Sequence, residues 1–206
     1  MEVDGGERVI CQLPVGTVTF LLTDVEGSTR LWESDPETMG IAVARHYELL
    51  HTAITLHGGV RPVEQGEGDS VVAVFVRASD ALAAALDVQR AFLCENWPDG
   101  VPLRLRIALH TAEVQLRDDG NYFGQAVNRC ARLRAIAHGG QVVLSGTTRE
   151  LVLDRLPEDV EFADLGVHRL RDLGRPVHVF GLVHPDLPAG FPALRSLDTL
   201  PNNLPG

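Results

Sequence analysis

The chain has 206 residues, 45% of them apolar and 22% charged, the composition of one globular domain with short extensions. Every one of the 18 basic residues is an arginine, which excludes chemistry that needs a lysine, such as a Walker-type phosphate loop or a Schiff base. A formal net charge of -10 argues against nonspecific nucleic-acid binding by this segment, because phosphate backbones are held by excess positive charge.

Three cysteines, Cys11, Cys94 and Cys130, are odd in number and lack the CxxC spacing. That points away from a disulfide framework or structural zinc and toward a reducing compartment. The most apolar stretches, near 20–22 and 81–86, are too short to span a bilayer, so the protein is expected to be cytoplasmic and free of the membrane.

In chain order, 17–23 mixes β-branched and apolar residues and stops at Asp24, the pattern of a buried strand running into a loop. A helix entry follows, with Ser28 or Thr29 expected as the cap before Leu31 and Trp32. Met39, Val43, Leu49, Leu50, Ala53 and Ile54 recur at helical spacing, and Gly58-Gly59 ends that helix. Residues 60–65 and 70–75 read as hairpin arms around Gly66-Glu67-Gly68-Asp69. An alanine-rich amphipathic helix is expected over 80–93 and a half-buried strand over 103–110, with Arg104 and Arg106 on its solvent face or reaching a phosphate. A turn at 118–120, a helix over 126–137, a strand over 141–144, a helix over 147–156 and strands near 160–162 and 177–182 complete the pattern. From Pro185 onward five prolines and little periodicity indicate an extended linker. The expected boundaries are an extension over 1–15, a domain over 16–184 and a proline-rich linker over 185–206. Alternating strands and helices around a central hairpin imply an α+β sandwich, with an antiparallel-rich sheet, helices on one face and a split βαβ arrangement.

Two carboxylates stand out: Asp24 at the end of the first strand and Asp69 in the hairpin turn. Neighbouring strands can bring them together, and such a pair suits magnesium, which takes carboxylate, water and phosphate oxygens. The helix entry at Gly27, Ser28 and Thr29 offers backbone amides to phosphates. Further on, Asn128 and Arg132 are four apart and share a helical face. Asparagine can hold a ribose or phosphate oxygen, and arginine can stabilise charge developing on a phosphoryl group. Each feature alone is also what a turn aspartate or a solvated helix face looks like. The eight histidines lack ligand spacing, and only His110, at a strand end beside the presumed site, merits a test.

Together the motifs resemble the class III nucleotidyl cyclases, in FLLTDVEGSTRLWE, VEQGEGDSVVAVF, GNYFGQAVNRCARL and LGVHRLRDLGRPVHVFGL, over residues 16–183. The resemblance implies a ferredoxin-like fold that forms a head-to-tail homodimer with ATP between protomers. It implies Asp24, Val25 and Asp69 as the residues holding two Mg2+ or Mn2+ ions per site, Asn128 as the ribose-orienting asparagine and Arg132 as the transition-state arginine. Metals from one chain would face Gln65, Asn121, Asn128 and Arg132 of the other.

Two positions depart from the family pattern. Where a purine-selecting lysine would fall there is Gln65, and where its aspartate or threonine partner would fall there is Asn121; the guanylyl pair of glutamate and cysteine is not matched either. Amides can both donate and accept, so ATP and, by rotation, GTP can be satisfied, with weaker binding for want of a charge. Ala112 replaces a common glycine. The implied activity is a low-turnover adenylyl cyclase with guanylyl side activity. The alternative is a degenerate nucleotide-sensing or dimerisation module of a longer regulator, whose linker leads to an ATPase and a helix-turn-helix domain. A diguanylate cyclase, suggested by the Gly-Glu-Gly-Asp turn, has no place for the Asn128/Arg132 helix.

Overall fold

The residues Gly16–Val25 form the first strand, β1, and the alternation of their side chains decides the architecture. The structure is a computed structural model that describes residues 13–62, 68–98, 101–118 and 120–196. Leu21 and Val25 enter one buried apolar cluster, whereas Val18, Phe20 and Leu22 enter another on the opposite side. A strand that is apolar on both faces must be covered on both.

After β1 come α1 (Ser28–Ser34), α2 (Pro36–Leu56), β2 (Val71–Phe75), α3 (Ala78–Cys94), β3 (Leu105–Asp118), β4 (Asn121–Phe123) and α4 (Gln125–Ala135). Then follow β5 (Val142–Ser145), α5 (Gly146–Val152), a 3-10 turn (Leu153–Arg155), β6 (Glu161–His168) and β7 (Val177–Val183). One seven-stranded sheet runs in the order β2-β1-β3-β5-β7-β6, with β4 folded onto β3. Among the described pairings β3 with β5 is parallel and the others are antiparallel. The antiparallel-rich α+β sheet expected from the pattern is present.

Helices on one face only were expected, and the structure corrects this. α2 and α3 cover the side of Leu21, Phe75, Leu105, Ile107 and Leu109. α4 lies on the other side, where Cys130 and Leu133 meet Phe20, Ala108, Val143 and Val179. The reason lies in β2 and β5, which are buried at every residue. With one-sided cover, half of these side chains would forfeit the roughly 1.5–3 kcal/mol that full burial of a large apolar side chain contributes.

The helix ends show why local chemistry succeeds or fails as a guide. Asp35 caps α2 by accepting the Thr38 amide at 3.0 Å, with Pro36 in the first turn. α1 is capped by neither Ser28 nor Thr29. Gly27 holds that place at φ 72, a left-handed backbone that favours glycine, and its carbonyl receives the Arg30 and Leu31 amides.

Of the expected hairpin, residues 63–67 lie outside the described ones, and Val60 makes a single antiparallel bridge to Val74. The chain reaches that bridge by pressing Gly59 on the sheet: a Cβ there would sit 2.5 Å from the Phe75 ring and 2.8 Å from Ile54 Cγ2. Phe75 and Ile54 are both almost fully buried, so neither ring nor methyl can swing into solvent. Gly59→Ala is therefore expected to cost about 1–3 kcal/mol, the usual range for overpacking, as measured by urea denaturation.

Beyond β7, residues 184–196 form neither helix nor strand, as a proline-rich segment should, yet they are docked as a strap. Leu187 and Leu194 are buried. Arg90 of α3 pairs with Asp186 at 2.9 Å and contacts His184. The Arg195 amide donates to the Ile136 carbonyl at 3.0 Å, and its guanidinium pairs with Glu26. No helix among the described residues is long and apolar enough to cross a membrane.

Candidate active site

The antiparallel register of β1 and β3 places Asp24 opposite Arg106. Arg106 donates Nε to Asp24 Oδ1 at 2.8 Å and Nη2 to Oδ2 at 2.5 Å, a two-bond fork of the kind that makes arginine–carboxylate pairs strong. The side chains are only 14% and 19% exposed. Asp69 arrives from the turn before β2, whose register with β1 sets Thr23 opposite Val71. Its Oδ2 accepts the Val25 amide at 2.8 Å. Asp24, Val25 and Asp69, expected together from sequence, are thus gathered at one end of two neighbouring strands. The Tyr47 hydroxyl of α2 donates to the Gly68 carbonyl and steadies the turn.

A second guanidinium enters from α4. Arg134 Nη1 donates to the Thr23 carbonyl at 3.0 Å and to Ser70 Oγ at 2.6 Å, and its Nε lies 3.5 Å from Asp24 Oδ2. Sequence reasoning singled out neither Arg134 nor the pairing of Arg106. An opposite-charge pair across two strands is a recognisable signal, but only once the register is known.

The donor set fits a hard divalent cation. Carboxylate and backbone carbonyl oxygens are what Mg2+ and Mn2+ take, and the Asp24 carboxylate already draws two guanidiniums. Among the described residues no three His, Cys, Asp or Glu side chains gather to hold a metal. Two carboxylates suit a cation that completes its shell with water and phosphate oxygens. Directly after them, the amides of Gly27, Ser28 and Thr29 open α1, where first-turn amides have no intrahelical acceptor.

The remaining candidates face elsewhere. Asn121 of β4, buried, and Asn128 of α4 line a cavity of about 200 Å3 with Pro62, Val72 and Tyr122. None of Asp24, Asp69, Arg106 or Arg134 lines it. Gln65 lies outside the described residues. Arg132 points outward, 43% exposed, and donates Nη2 to Asp172 at 3.0 Å. Within one chain, then, the carboxylates are brought together and the Asn121/Asn128 pair is brought together, but the two groups are separate.

His110 is not at the carboxylate end. It pairs with Phe20, four residues before Asp24, and its Nδ1 meets Ser145 Oγ at 2.8 Å. Burial, helped by the charge of Arg129, pushes its pKa down to about 4, so it is a neutral core histidine. Ala112 pairs with Val18, further still from the carboxylates. Cys130 is buried against the Ala108 carbonyl, and burial pushes its thiol up to about 12, which leaves it inert.

The profile of the adenylate and guanylate cyclase catalytic domain matches residues 11–182, and the chain belongs to that family. It is 54% identical to the uncharacterized protein Rv0891c of Mycobacterium tuberculosis over 93% of this chain, and it spans 64% of that relative's length. It is 32% identical to a protein named putative adenylate cyclase 3 of Rhizobium meliloti, over 78% of this chain and 27% of the relative. Among solved structures, an adenylate cyclase of Trypanosoma brucei in its monomeric state superposes with a TM-score of 0.78 at 26% identity, covering 90% of this chain and 98% of that one. The fold is that of the cyclase catalytic domain.

Proposed function

We propose that the chain is an adenylyl cyclase, turning ATP into 3′,5′-cyclic AMP and pyrophosphate at sites shared by a head-to-tail homodimer, with looser purine choice than a dedicated enzyme. The observation that carries the reading is the convergence of Asp24, Val25 and Asp69 beside the α1 entry, an oxygen donor set next to first-turn amides that no side chain caps. Two divalent cations, when bound there, neutralise the triphosphate and acidify the ribose 3′ hydroxyl.

The protein's own groups do the positioning. Asp24 and Asp69 hold their oxygens at the end of β1, and the amides of Gly27, Ser28 and Thr29 receive phosphate oxygens. Arg106, now forked on Asp24, has the planar donor pair that serves a phosphoryl group equally well. In-line attack of the 3′ oxygen on the α-phosphorus, its proton passing to solvent, breaks the bond to the β-phosphate, and pyrophosphate leaves. Arg132 of the other protomer stabilises the charge that develops. Releasing Asp172 costs it little, since an exposed pair is worth about 0–1 kcal/mol. Asn128 orients the ribose, and Asn121 with Gln65 faces the base. Amide ends exchange by a half-turn, so neither ATP nor GTP meets an obligatory mismatch.

The separation of Asn121 and Asn128 from the carboxylates within one chain, and the outward aim of Arg132, support a shared site. Incubating the purified chain with Mn2+ and ATP or GTP should give cyclic AMP with slower cyclic GMP; neither product would end the proposal. A mixture of Asp24→Ala with Arg132→Ala, each inactive alone, should regain activity through the one intact site of the heterodimer. Heterodimers that form and stay inactive would rule out sharing.

A further inference from the structure

Two arginines attend Asp24, and they are held differently. Arg106 has Asp24 as its described hydrogen-bond partner, so a cation or phosphate that claims either group can part them. Arg134 is tied by Nη1 to the Thr23 carbonyl at 3.0 Å and to Ser70 Oγ at 2.6 Å, and Ser70 Oγ in turn donates to the same carbonyl at 3.0 Å. Its side chain is 17% exposed, and it projects from a helix whose Cys130 and Leu133 are fully buried. Its Nε is buried without a hydrogen-bond partner, 3.5 Å from Asp24 Oδ2. When Arg106 leaves, Arg134 stays, with a spare N–H beside the carboxylate.

We propose that Arg134 is a positioning residue of the metal site: it locks the Thr23–Asp24 strand end to the Ser70 turn that carries Asp69. Its fixed positive charge also weakens cation binding until a nucleotide brings its own negative charge. This rests on the reading of Asp24 and Asp69 as metal carboxylates. The two effects have opposite signs for the empty site. Loss of the lock slows turnover, whereas loss of a charge this close to a carboxylate strengthens its hold on a dication, because Coulomb energies at such distances in a partly buried site are several-fold larger than in water. A residue that mattered only for packing would weaken both.

The test is Mn2+ titration of the intact chain without nucleotide, followed by electron paramagnetic resonance, in wild type, R134M, R134K and D24N, with thermal melts and turnover in parallel. R134M is expected to bind Mn2+ on the order of tenfold more tightly than wild type while turning over more slowly, and R134K to keep wild-type affinity. R134Q, which drops the charge but keeps an N–H for Thr23, takes the place of R134M if that variant does not fold. A folded charge-deleting variant with Mn2+ affinity equal to or below wild type overturns the proposal. If D24N binds Mn2+ as wild type does, the metal reading itself falls; if D24N is weakened and R134M is not strengthened, only the role of Arg134 falls. No Mn2+ binding in any variant sinks both.

Discussion

Asp24→Ala and Asp69→Ala are each expected to lower turnover by about three orders of magnitude or more. Cation catalysis of phosphoryl transfer supplies several kcal/mol, and each 1.36 kcal/mol is roughly a factor of ten. Removing either carboxylate halves the acidic donor set, since among the described residues no further His, Cys, Asp or Glu completes one. The variants should differ in stability. Among the described hydrogen bonds Asp69→Ala frees the Val25 amide, whereas Asp24→Ala leaves Arg106 and Arg134 facing each other without their shared anion. Asp24→Asn keeps a hydrogen-bond acceptor for Arg106 and is the cleaner comparison. Turnover measured beside a thermal melt decides the matter: a folded variant with near-wild-type rates ends the assignment of that carboxylate.

The second large effect is acid sensitivity. His46 of α2 is fully buried between Tyr47 and Phe92, with ring centroids 4.9 and 5.8 Å away. Neither ring nitrogen makes a hydrogen bond of good geometry, the Val43 backbone offering only a marginal one. Burial pushes its pKa down to about 4 against the opposing pull of Asp69, and burial likewise holds His110 at about 4. Both folded values lie below the unfolded value of about 6.5, so the unfolded chain takes up the protons first. Above pH 6.5 neither histidine affects stability. Between pH 6.5 and 4 each removes about 1.4 kcal/mol per pH unit, roughly 3 kcal/mol in all. Two such sites take a large share of the ~5–15 kcal/mol that domains possess. Urea denaturation at pH 7 and pH 4.5 should show the drop, and His46→Leu should remove about half of it. Equal wild-type stability at the two pH values would show that these rings are not held neutral.

The acid-sensitive ring and the paired carboxylates were unequally visible beforehand. Asp24 and Asp69 could be found because one sits where a strand stops and the other in the turn before a strand begins, and adjacent strand ends are adjacent in space. α2 and α3 were legible from their apolar spacing, whereas the Asp35 cap of α2 was not singled out. Arg106 was read as a solvent-side residue or one reaching a phosphate, because alternation along a strand says which face a side chain takes but not what stands opposite. That depends on pairing with a strand more than 80 residues earlier in the chain. Arg134 was invisible for a related reason: Asn128 and Arg132 defined an outward face of α4, and the inward polar contact is made with strand ends that no local pattern names. The second covered face of the sheet was missed because β2 is apolar at every position and β5 at all but Ser145, so neither carries a period to read.

The strap ends in a joint with two outputs. Arg195 grips the Ile136 carbonyl at the end of α4, the helix of Asn128, Arg132 and Arg134, and through its guanidinium it grips Glu26, two residues past Asp24. Where these loops cross, Gly139 leaves so little room that a Cβ would lie 2.6 Å from the Glu26 carboxylate. The Arg195–Glu26 link is half-exposed and therefore weak, 47% and 27% open to water. One arginine of the strap thus ties the loop after Asp24 to the end of α4, so a displacement of the strap reaches both elements at once.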